Sequence, residues 1–466
     1  MKLKTTVFSY SLAFALALQV VYVFPGDHQS KKIAVIGTGY VGLVTGVGLS
    51  MKHNVVCCDI DKNKIELLNN GLMPIVEEGL ESLVLQNVSS GRLRFSSNVD
   101  ASIQDADIIF IAVGTPMADE GQADLSAIKS VAKTIGKNLN NYKVIVTKST
   151  VPIGTGSLIK NIIADSSDYA AVYDIVSNPE FLREGQAVYD FLNPDRIVIG
   201  ATSKRAHEVM QEVYEPWLEK APIVLTNVET AEAIKYASNA FLAVKISFIN
   251  EFANLCDVTD VDVATVSKAM GLDTRIGSQF LKAGPGYGGS CFPKDTQALA
   301  YIADQQNIDL HVVKAAIAAN DNQRSIICKK IDGLLSDVKK SLTSDVTIAL
   351  LGLTFKANTD DIRYSPSIEV IEYLRAKGFR VKAYDPEGMP NMKKLFPEIE
   401  YTSSANATVQ DADMVIVMTD WDEFKNLDLA VLAQSMKGNA FLDARNIWNP
   451  EVLRHHGFVL KNFGRK

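Results

Sequence analysis

The stretch that decides the fold is Lys31-Lys32-Ile33-Ala34-Val35-Ile36-Gly37-Thr38-Gly39-Tyr40-Val41-Gly42, a short apolar run that leads into a glycine turn. A helix of small apolar residues is predicted to follow through Leu49, and a strand from Asn54 to Cys58 ends at Asp59. This order of strand, glycine turn, helix, strand and acid is typical of a dinucleotide-binding βαβ unit. The glycines allow the tight turn, the approach of a pyrophosphate, and close packing of the helix on the strand.

The acid at the end of the second strand predicts the cofactor. A carboxylate at the position of Asp59 binds the adenosine ribose hydroxyls, and it would repel a 2′-phosphate. NAD is therefore predicted rather than NADP.

Two further apolar runs extend the predicted parallel sheet, Asp107–Val113 and Val144–Thr150. Ligands of such sheets collect beyond the carboxyl ends of the strands, which places Thr115 and Thr150 near cofactor or substrate. Threonines after strands also cap helices, and position alone leaves both alternatives open.

A loop rich in glycine carries the most reactive candidate residue. Residues 284–295 place three glycines and a proline in five positions, and then a thiol, Cys291, with an amine at Lys294 and a carboxylate at Asp295. A thiol beside a cation forms the reactive thiolate more readily, so a nucleophile is favoured over a buried structural cysteine.

Helices are predicted on both sides of this loop, from Asn227 to Asp257 and from Asp295 to Lys330. Lys235 and Asn239 are four residues apart and share one helix face. They form either a solvated stripe or a pair that reaches the Cys291 loop.

The last third of the chain repeats the α/β pattern without the glycine fingerprint. Its predicted strands and helix are Val346–Gly352, Ser365–Lys377 (the helix), Phe379–Tyr384, Asp413–Met418 and Ala440–Asp443. Lys356 and Arg363 follow the first of these strands and are natural phosphate partners. The predicted fold class is α/β, with two Rossmann-like doubly wound domains joined by a long central helix. The predicted domains are residues 1–30, 31–226, 227–335 and 336–466.

Composition excludes some classes of protein. The 466 residues carry a net charge of −7, which argues against a general nucleic-acid binder. The five cysteines have no metal-ligand spacing, so no metal site is predicted and a reducing compartment is indicated.

The N-terminal residues 7–24 are nearly all apolar. A signal anchor, an uncleaved signal-like segment and a misplaced start are the three alternatives. A cytoplasmic catalytic body is expected, and tethering to a membrane through residues 7–24 is the alternative.

The glycine fingerprint, the cysteine loop and the second α/β unit resemble the UDP-glucose/GDP-mannose dehydrogenase family over about residues 31–450. Further motifs carry the resemblance, namely residues 113–116, 148–152, 178–185, 235–241 and 352–356. The resemblance is greatest to the UDP-glucose branch, and it implies a four-electron oxidation of the sugar C6 alcohol to a carboxylate with two NAD in turn.

The resemblance also implies roles for single residues. Cys291 would form a thiohemiacetal and then a thioester, with Lys235 and Asn239 at the oxyanion, Asp295 assisting proton removal and Glu180 as a base; Thr150 completes the catalytic set. The implied cofactor residues are Gly37, Gly39, Tyr40, Val41, Gly42, Asp59, Lys64, Thr115, Thr150, Glu184, Lys294 and Arg363. The implied substrate residues are Glu180, Phe181, Leu182, Glu184, Lys235, Asn239, Arg275, Phe280, Lys282, Gly284, Tyr287, Gly288, Lys356 and Arg445. Arg275 would reach into a neighbouring subunit's site, so a homodimer that shares the central helix is expected.

Three alternatives stay open. Sister enzymes of the family act on GDP-mannose or on UDP-N-acetyl sugars and need the same cysteine. A two-electron hydroxyacid dehydrogenase would share the first Rossmann unit but would not need Cys291. A membrane-tethered nucleotide-sugar binding protein without catalysis is the most distant alternative.

Overall fold

The computed structural model describes residues 30–167, 172–338 and 346–466. The apolar run at residues 7–24 lies outside the described residues. Within the described part of the chain, no helix is long and apolar enough to cross a membrane.

Eight described strands form the first sheet, in the order β3-β2-β1-β4-β5-β6-β7-β8. Neighbouring strands run parallel except β6 and β7, which are antiparallel. The strands are β1 (Lys32–Ile36), β2 (Asn54–Cys58), β3 (Leu93–Ser96), β4 (Ile108–Ile111), β5 (Lys143–Thr147), β6 (Tyr173–Ser177), β7 (Ile197–Ala201) and β8 (Ile223–Thr226).

Helices cover both faces of this sheet, which explains why its central strands, such as β4 and β7, are apolar rather than alternating. Ile33 and Val35 of β1 belong to one core cluster, and Ala34 and Ile36 belong to another on the opposite face. The helices are α1 (Tyr40–Leu49), α2 (Lys62–Asn69), α3 (Leu80–Ser89), α4 (Val99–Asp105), α5 (Ser126–Asn138), α6 (Thr155–Ser166), α7 (Ala187–Leu192) and α8 (Lys204–Val213).

A long helix, α9 (Val228–Asp257), follows the first sheet. It packs against a short helix that precedes the cysteine loop and against two helices that follow the loop. These are α10 (Val263–Gly271), α11 (Phe292–Gln305) and α12 (His311–Asp337). The prediction of one helix from Asp295 to Lys330 is wrong, because the chain breaks between α11 and α12 at Asn307, whose φ of +57° cannot continue a helix.

Six described strands form the second sheet, in the order β11-β10-β9-β12-β13-β14, all parallel. They are β9 (Thr347–Leu351), β10 (Arg380–Tyr384), β11 (Glu400–Tyr401), β12 (Met414–Val417), β13 (Ala440–Asp443) and β14 (Val459–Lys461). Its helices are α13 (Pro366–Ala376), α14 (Met389–Leu395), α15 (Ala405–Val409), α16 (Asp422–Lys425), α17 (Leu429–Ser435) and α18 (Pro450–His455). The predicted class, two Rossmann-like units with a long central helix, is confirmed, and the domain boundaries stay predictions.

The strand ends matter for the site. β2 and β13 have the predicted bounds, but β4 ends at Ile111 and β5 at Thr147, earlier than predicted. The residues that follow leave the sheet and form its carboxyl edge, where ligands of parallel sheets bind.

Candidate active site

The glycine turn between β1 and α1 is shaped for a phosphate. Gly37 has a φ of +105°, which favours glycine. A Cβ at Gly42 would lie 1.9 Å from the Gly37 carbonyl oxygen, so α1 can pack on β1 only without a side chain there. A Cβ at Gly39, at the N-terminus of α1, would meet nothing within 4 Å. That open space fits the approach of a pyrophosphate to the helix N-terminus.

Asp59 lies against the same turn. Its carboxylate accepts hydrogen bonds from the Thr38 N–H at 2.9 Å and the Thr38 hydroxyl at 2.8 Å. Burial raises the pKa of Asp59, but the hydrogen bonds from Asp61 and Thr38 and the charge of Lys64 outweigh it, so the pKa lies below its usual value. An ionised carboxylate at this position fits the ribose of NAD, as predicted.

Tyr40 connects this turn to the second α/β unit. Its hydroxyl donates a hydrogen bond of 2.5 Å to Asp360 and lies 3.2 Å from the Thr359 hydroxyl. Its neighbour Val41 packs against the first core instead. The glycine turn is therefore closed on one side by the second unit.

Thr115 and Thr150 meet at the carboxyl edge of the first sheet. The Thr115 hydroxyl donates to the Thr150 carbonyl at 2.9 Å, and both residues are buried. Neither is a helix N-cap, because Leu125 precedes α5 and Gly154 precedes α6. The structure thus favours the edge position over the capping alternative.

The cysteine loop is held by side chains of the two long helices. Asn250 of α9 accepts the Gly284 N–H at 2.8 Å, and Gln323 of α12 donates to the Gly284 carbonyl at 2.8 Å. Asn320 of α12 accepts the Tyr287 N–H at 2.8 Å. These contacts place Cys291 directly before α11.

Lys235 and Asn239 reach the loop, and the solvated-stripe alternative is wrong. The Lys235 ammonium lies 2.9 Å from the Glu180 carboxylate, and both residues are 4% exposed. One turn further along α9, Asn239 donates to Asp295 at 2.6 Å. Lys294 also donates to Asp295, at 2.5 Å. Two buried carboxylates are thus each held by a cation near the thiol.

The nearby cations favour the thiolate of Cys291, as expected, but other effects on its pKa are larger. Burial and the negative charge of Glu180 raise the pKa of the Cys291 thiol, with Asp295 adding to the effect. The ammonium groups of Lys235 and Lys294 oppose this shift without cancelling it, and the pKa is about 11. The thiol is therefore protonated near neutral pH.

Glu184 lies where the two units meet. It accepts a hydrogen bond of 2.9 Å from Ser290. The Arg363 guanidinium lies 3.5 Å from Glu184 but is closer to Asp361, at 2.8 Å. Burial, followed by the charge of Asp361, raises the pKa of Glu184 to about 7.

A cavity of about 1140 Å³ lies between the first sheet, α9, the cysteine loop and the second unit. This volume suits a ligand of nucleotide-sugar size. The predicted residues that line it are Glu180, Phe181, Leu182, Glu184, Lys235, Asn239, Phe280, Gly288, Cys291 and Lys356.

Five predicted substrate residues are not part of the described lining: Arg275, Lys282, Gly284, Tyr287 and Arg445. Lys282 pairs with Asp420, a lining residue, at 3.3 Å. Arg445 donates to the carbonyls of Met418, at 2.7 Å, and Phe355. Arg275 is exposed and pairs with Asp273 at 2.6 Å, four residues before the lining residue Gln279.

Sequence analysis missed three lining residues that form a buried cluster: Lys148, Asn178 and Tyr214. The first two lie in quoted motifs, and their burial beside Glu180 was the missing information. Tyr214 follows α8 and has no local sequence signal.

Comparison with known proteins gives three matches to one family along the chain. They are the NAD binding domain at residues 31–218, the central domain at 229–322 and the UDP binding domain at 349–450 of the UDP-glucose/GDP-mannose dehydrogenase family.

The chain belongs to this family.

Its cofactor is NAD, as predicted.

The similar proteins match nearly the whole length of this chain. A UDP-glucose 6-dehydrogenase of Bacillus subtilis is 47% identical over 437 residues, which are 93% of this chain and 93% of the relative. A UDP-glucose 6-dehydrogenase of Rhizobium meliloti is 47% identical over 93% of this chain and 99% of its own length. The solved structure of a UDP-glucose dehydrogenase from Pyrobaculum islandicum superposes with a TM-score of 0.88 at 34% identity, and the match covers 96% of this chain and 100% of that one.

Proposed function

We propose that this chain oxidises the C6 alcohol of UDP-glucose to the carboxylate of UDP-glucuronate, in an NAD-dependent reaction that passes through a covalent adduct on Cys291. The observation that carries the proposal is the thiol in one cavity with the buried Lys235–Glu180 pair and Asn239, whose amide donates a hydrogen bond to Asp295. The near-full-length relatives named for UDP-glucose support the substrate.

The reaction removes four electrons and therefore needs two bound NAD in turn, each of which accepts one hydride. The first oxidation produces the C6 aldehyde. The Cys291 sulfur adds to its carbon, and the alcohol of this thiohemiacetal is oxidised to a thioester. Water then cleaves the thioester, which releases the carboxylate and restores the thiol.

Side chains of this protein stabilise the oxyanion and accept the protons of these steps. The Lys235 ammonium and the Asn239 amide would stabilise an oxyanion that develops at C6. Because the pKa of Cys291 is about 11, the thiol must pass its proton to a base before attack. Asp295 would assist proton removal, and Glu180 would be the base of the thioester step. Thr150 lies at the carboxyl edge of the first sheet, where its carbonyl accepts a hydrogen bond from the Thr115 hydroxyl.

The test is the yield of NADH per UDP-glucose consumed by the full chain, measured beside Cys291→Ser. Two NADH per sugar, with no acid released by the variant, are expected. One NADH per sugar would mean a two-electron dehydrogenase and would remove the role of Cys291. Turnover of GDP-mannose or a UDP-N-acetyl sugar in place of UDP-glucose would overturn the substrate and keep the mechanism.

We also propose that the chain forms a homodimer through α9. Large apolar side chains recur at intervals of seven residues along one face of this helix: Phe241 is 65% exposed, Phe248 is 49% exposed and Leu255 is 53% exposed. Such a stripe on a long helix fits a self-complementary interface. A partner seated there would also explain why Arg275 lies outside the cavity of its own subunit.

Sedimentation of Phe248→Glu tests the dimer. We expect wild type to sediment as a dimer or higher oligomer and the variant to dissociate. Val431→Glu is the matched control, since Val431 is similarly exposed, at 45%, on α17. A monomeric wild type, or equal behaviour of both variants, would refute this assembly.

A further inference from the structure

Glu77 is a buried residue of the first α/β unit that does not line the cavity and that the proposed chemistry does not use. It lies just before α3. Gly79, with a φ of +78°, turns the chain into this helix, and Leu80, the first residue of α3, is fully buried. The position of Glu77 in the first unit is therefore well defined.

Both oxygens of the Glu77 carboxylate accept hydrogen bonds from a distant part of the chain. The Gly185 N–H donates to one oxygen at 2.7 Å, and the Ala187 N–H donates to the other at 2.6 Å. These donors lie 108 and 110 residues further along the sequence. Hydrogen bonds to a carboxylate are stronger than those between neutral groups, so this contact holds the backbone of the distant segment.

The segment that Glu77 holds is a wall of the cavity. Residues 178–186 all line it, without interruption. The first half of this wall is fixed by Glu180, whose carboxylate lies 2.9 Å from the Lys235 ammonium. Glu77 holds the second half, at Gly185 and at Ala187, the first residue of α7.

The second half of the wall also meets the other parts of the site. Gly185 has a φ of +77°, and a Cβ there would lie 2.3 Å from the Asn358 carbonyl oxygen of the second unit. Its neighbour Glu184 accepts the hydrogen bond from Ser290 of the cysteine loop. A small shift of this backbone would therefore change how the first unit, the second unit and the cysteine loop fit together.

We propose that Glu77 is a positioning residue of the substrate site: its carboxylate holds the backbone of Gly185 and Ala187, and so keeps the cavity wall in place against the second unit. The inference rests on the proposed function for the identity of the ligand, but not for the anchoring of the wall.

The consequence of losing this anchor is a cost of ordering. Without Glu77, the N–H groups of Gly185 and Ala187 lose their acceptors, and the second half of the wall is free to leave its contact with Asn358. Binding of the sugar nucleotide would then have to order this half, which lowers the affinity. Glu180 would still be held by Lys235, so the chemical steps should be affected less than binding.

The experiment compares two variants of Glu77 in the full chain. Glu77→Ala removes both acceptors, whereas Glu77→Gln keeps the shape of the side chain and replaces one acceptor oxygen with an NH₂ donor. Glu78→Gln is the matched control, since it makes the same change at the adjacent, exposed residue.

Two measurements follow the anchor and its effect. Hydrogen exchange of the unliganded protein, read by mass spectrometry, reports the protection of peptides that contain Gly185 and Ala187, with peptides of α9 as the internal reference. Calorimetry gives the Kd of UDP-glucose, and steady-state kinetics gives its KM and kcat.

We expect Glu77→Ala to exchange about tenfold faster or more in the peptides with Gly185 and Ala187, and at an unchanged rate in α9. The Kd and KM of UDP-glucose should rise by about tenfold or more, the scale of one lost hydrogen bond to a charged group, while kcat falls by a smaller factor. Glu77→Gln should lie between Glu77→Ala and wild type, and Glu78→Gln should match wild type. If Glu77→Ala does not fold, Glu77→Gln decides.

Unchanged exchange in these peptides, or faster exchange with an unchanged Kd, would overturn the proposal. Faster exchange in α9 as well, or failure of both Glu77 variants to fold while Glu78→Gln folds, would overturn it too, since Glu77 would then stabilise the whole unit. Absence of UDP-glucose binding and turnover in wild type would instead refute the proposed function. The exchange measurement would still decide the anchoring, and the sugar nucleotide that is turned over would replace UDP-glucose in the affinity measurement.

Discussion

Replacing Lys235 with methionine would leave Glu180 buried without the ammonium that now lies 2.9 Å away. Both side chains are nearly inaccessible to water, so solvent cannot take over the role of the lost cation. Removing one partner of a buried ion pair costs about 3–5 kcal/mol, because the other charge stays uncompensated. We therefore expect the free energy of unfolding of Lys235→Met to fall by about that amount at pH 8.

The loss has a defined pH dependence. In wild type, burial raises the pKa of Glu180, but Lys235, the Leu182 N–H and Lys148 together bring it below its usual value. In Lys235→Met we expect burial, the largest of these effects, to prevail, so that the folded pKa of Glu180 rises above the unfolded value of about 4.3. A carboxyl group with a raised folded pKa contributes stability below its unfolded pKa and loses it as pH rises through the folded pKa. The destabilisation should therefore be smaller at pH 5 than at pH 8.

Urea unfolding at the two pH values measures this difference, with circular dichroism and tryptophan fluorescence as probes. The double variant Lys235→Met with Glu180→Gln is the control, since it leaves no charge to compensate. We expect the double variant to be more stable than Lys235→Met at pH 8. Equal stability of the two variants at pH 8, or equal destabilisation of Lys235→Met at both pH values, would refute the account of an uncompensated buried charge.

Three further predictions concern other parts of the molecule. Since the pKa of the Cys291 thiol is about 11, its alkylation by iodoacetamide should become roughly tenfold faster per pH unit from pH 8 to 10. The rate measured with Cys291→Ser gives the background from the other cysteines. A rate that stops rising near pH 8 would contradict the raised pKa. Burial raises the pKa of Glu232 to about 7, so the contribution of this carboxyl group to stability is present below about pH 4.3 and is lost as pH rises through 7. The melting temperature of wild type should therefore exceed that of Glu232→Gln by more at pH 5 than at pH 9. A difference that does not change with pH would contradict this. Tyr40→Phe removes the hydrogen bond from Tyr40 to the Asp360 carboxylate, which joins the two α/β units and is worth about 1.5–3 kcal/mol. It should lower the urea midpoint as much as Asp360→Asn does. Additive losses in the double variant would show that the two side chains act independently.

Local sequence patterns predict much of the fold. The glycine turn, the bounds of β2 and the long helix α9 follow from residues that lie next to each other in the chain. The break between α11 and α12 escaped prediction, because it depends on the left-handed backbone of Asn307 within an otherwise helical pattern.

The candidate site divides in the same way. Spacing identifies the thiol, the amine, the amide and Asp295, since side chains on one helix face have a fixed relation to the backbone. Glu180 follows from the resemblance to the family. The cluster of Lys148, Asn178 and Tyr214 was not found, because three segments distant in sequence form it.

The sequence by itself therefore determined which reactive groups the chain carries and, through the order of strands and helices, at which sheet edge they lie. Only the tertiary structure decided their charge states. The cations near Cys291 favour its thiolate, as the sequence predicts, but burial and the carboxylate of Glu180 outweigh them and raise the pKa of the thiol. The physical reason is that desolvation and long-range charge interactions are sums over all the neighbours in space, and those neighbours are known only once the chain has folded.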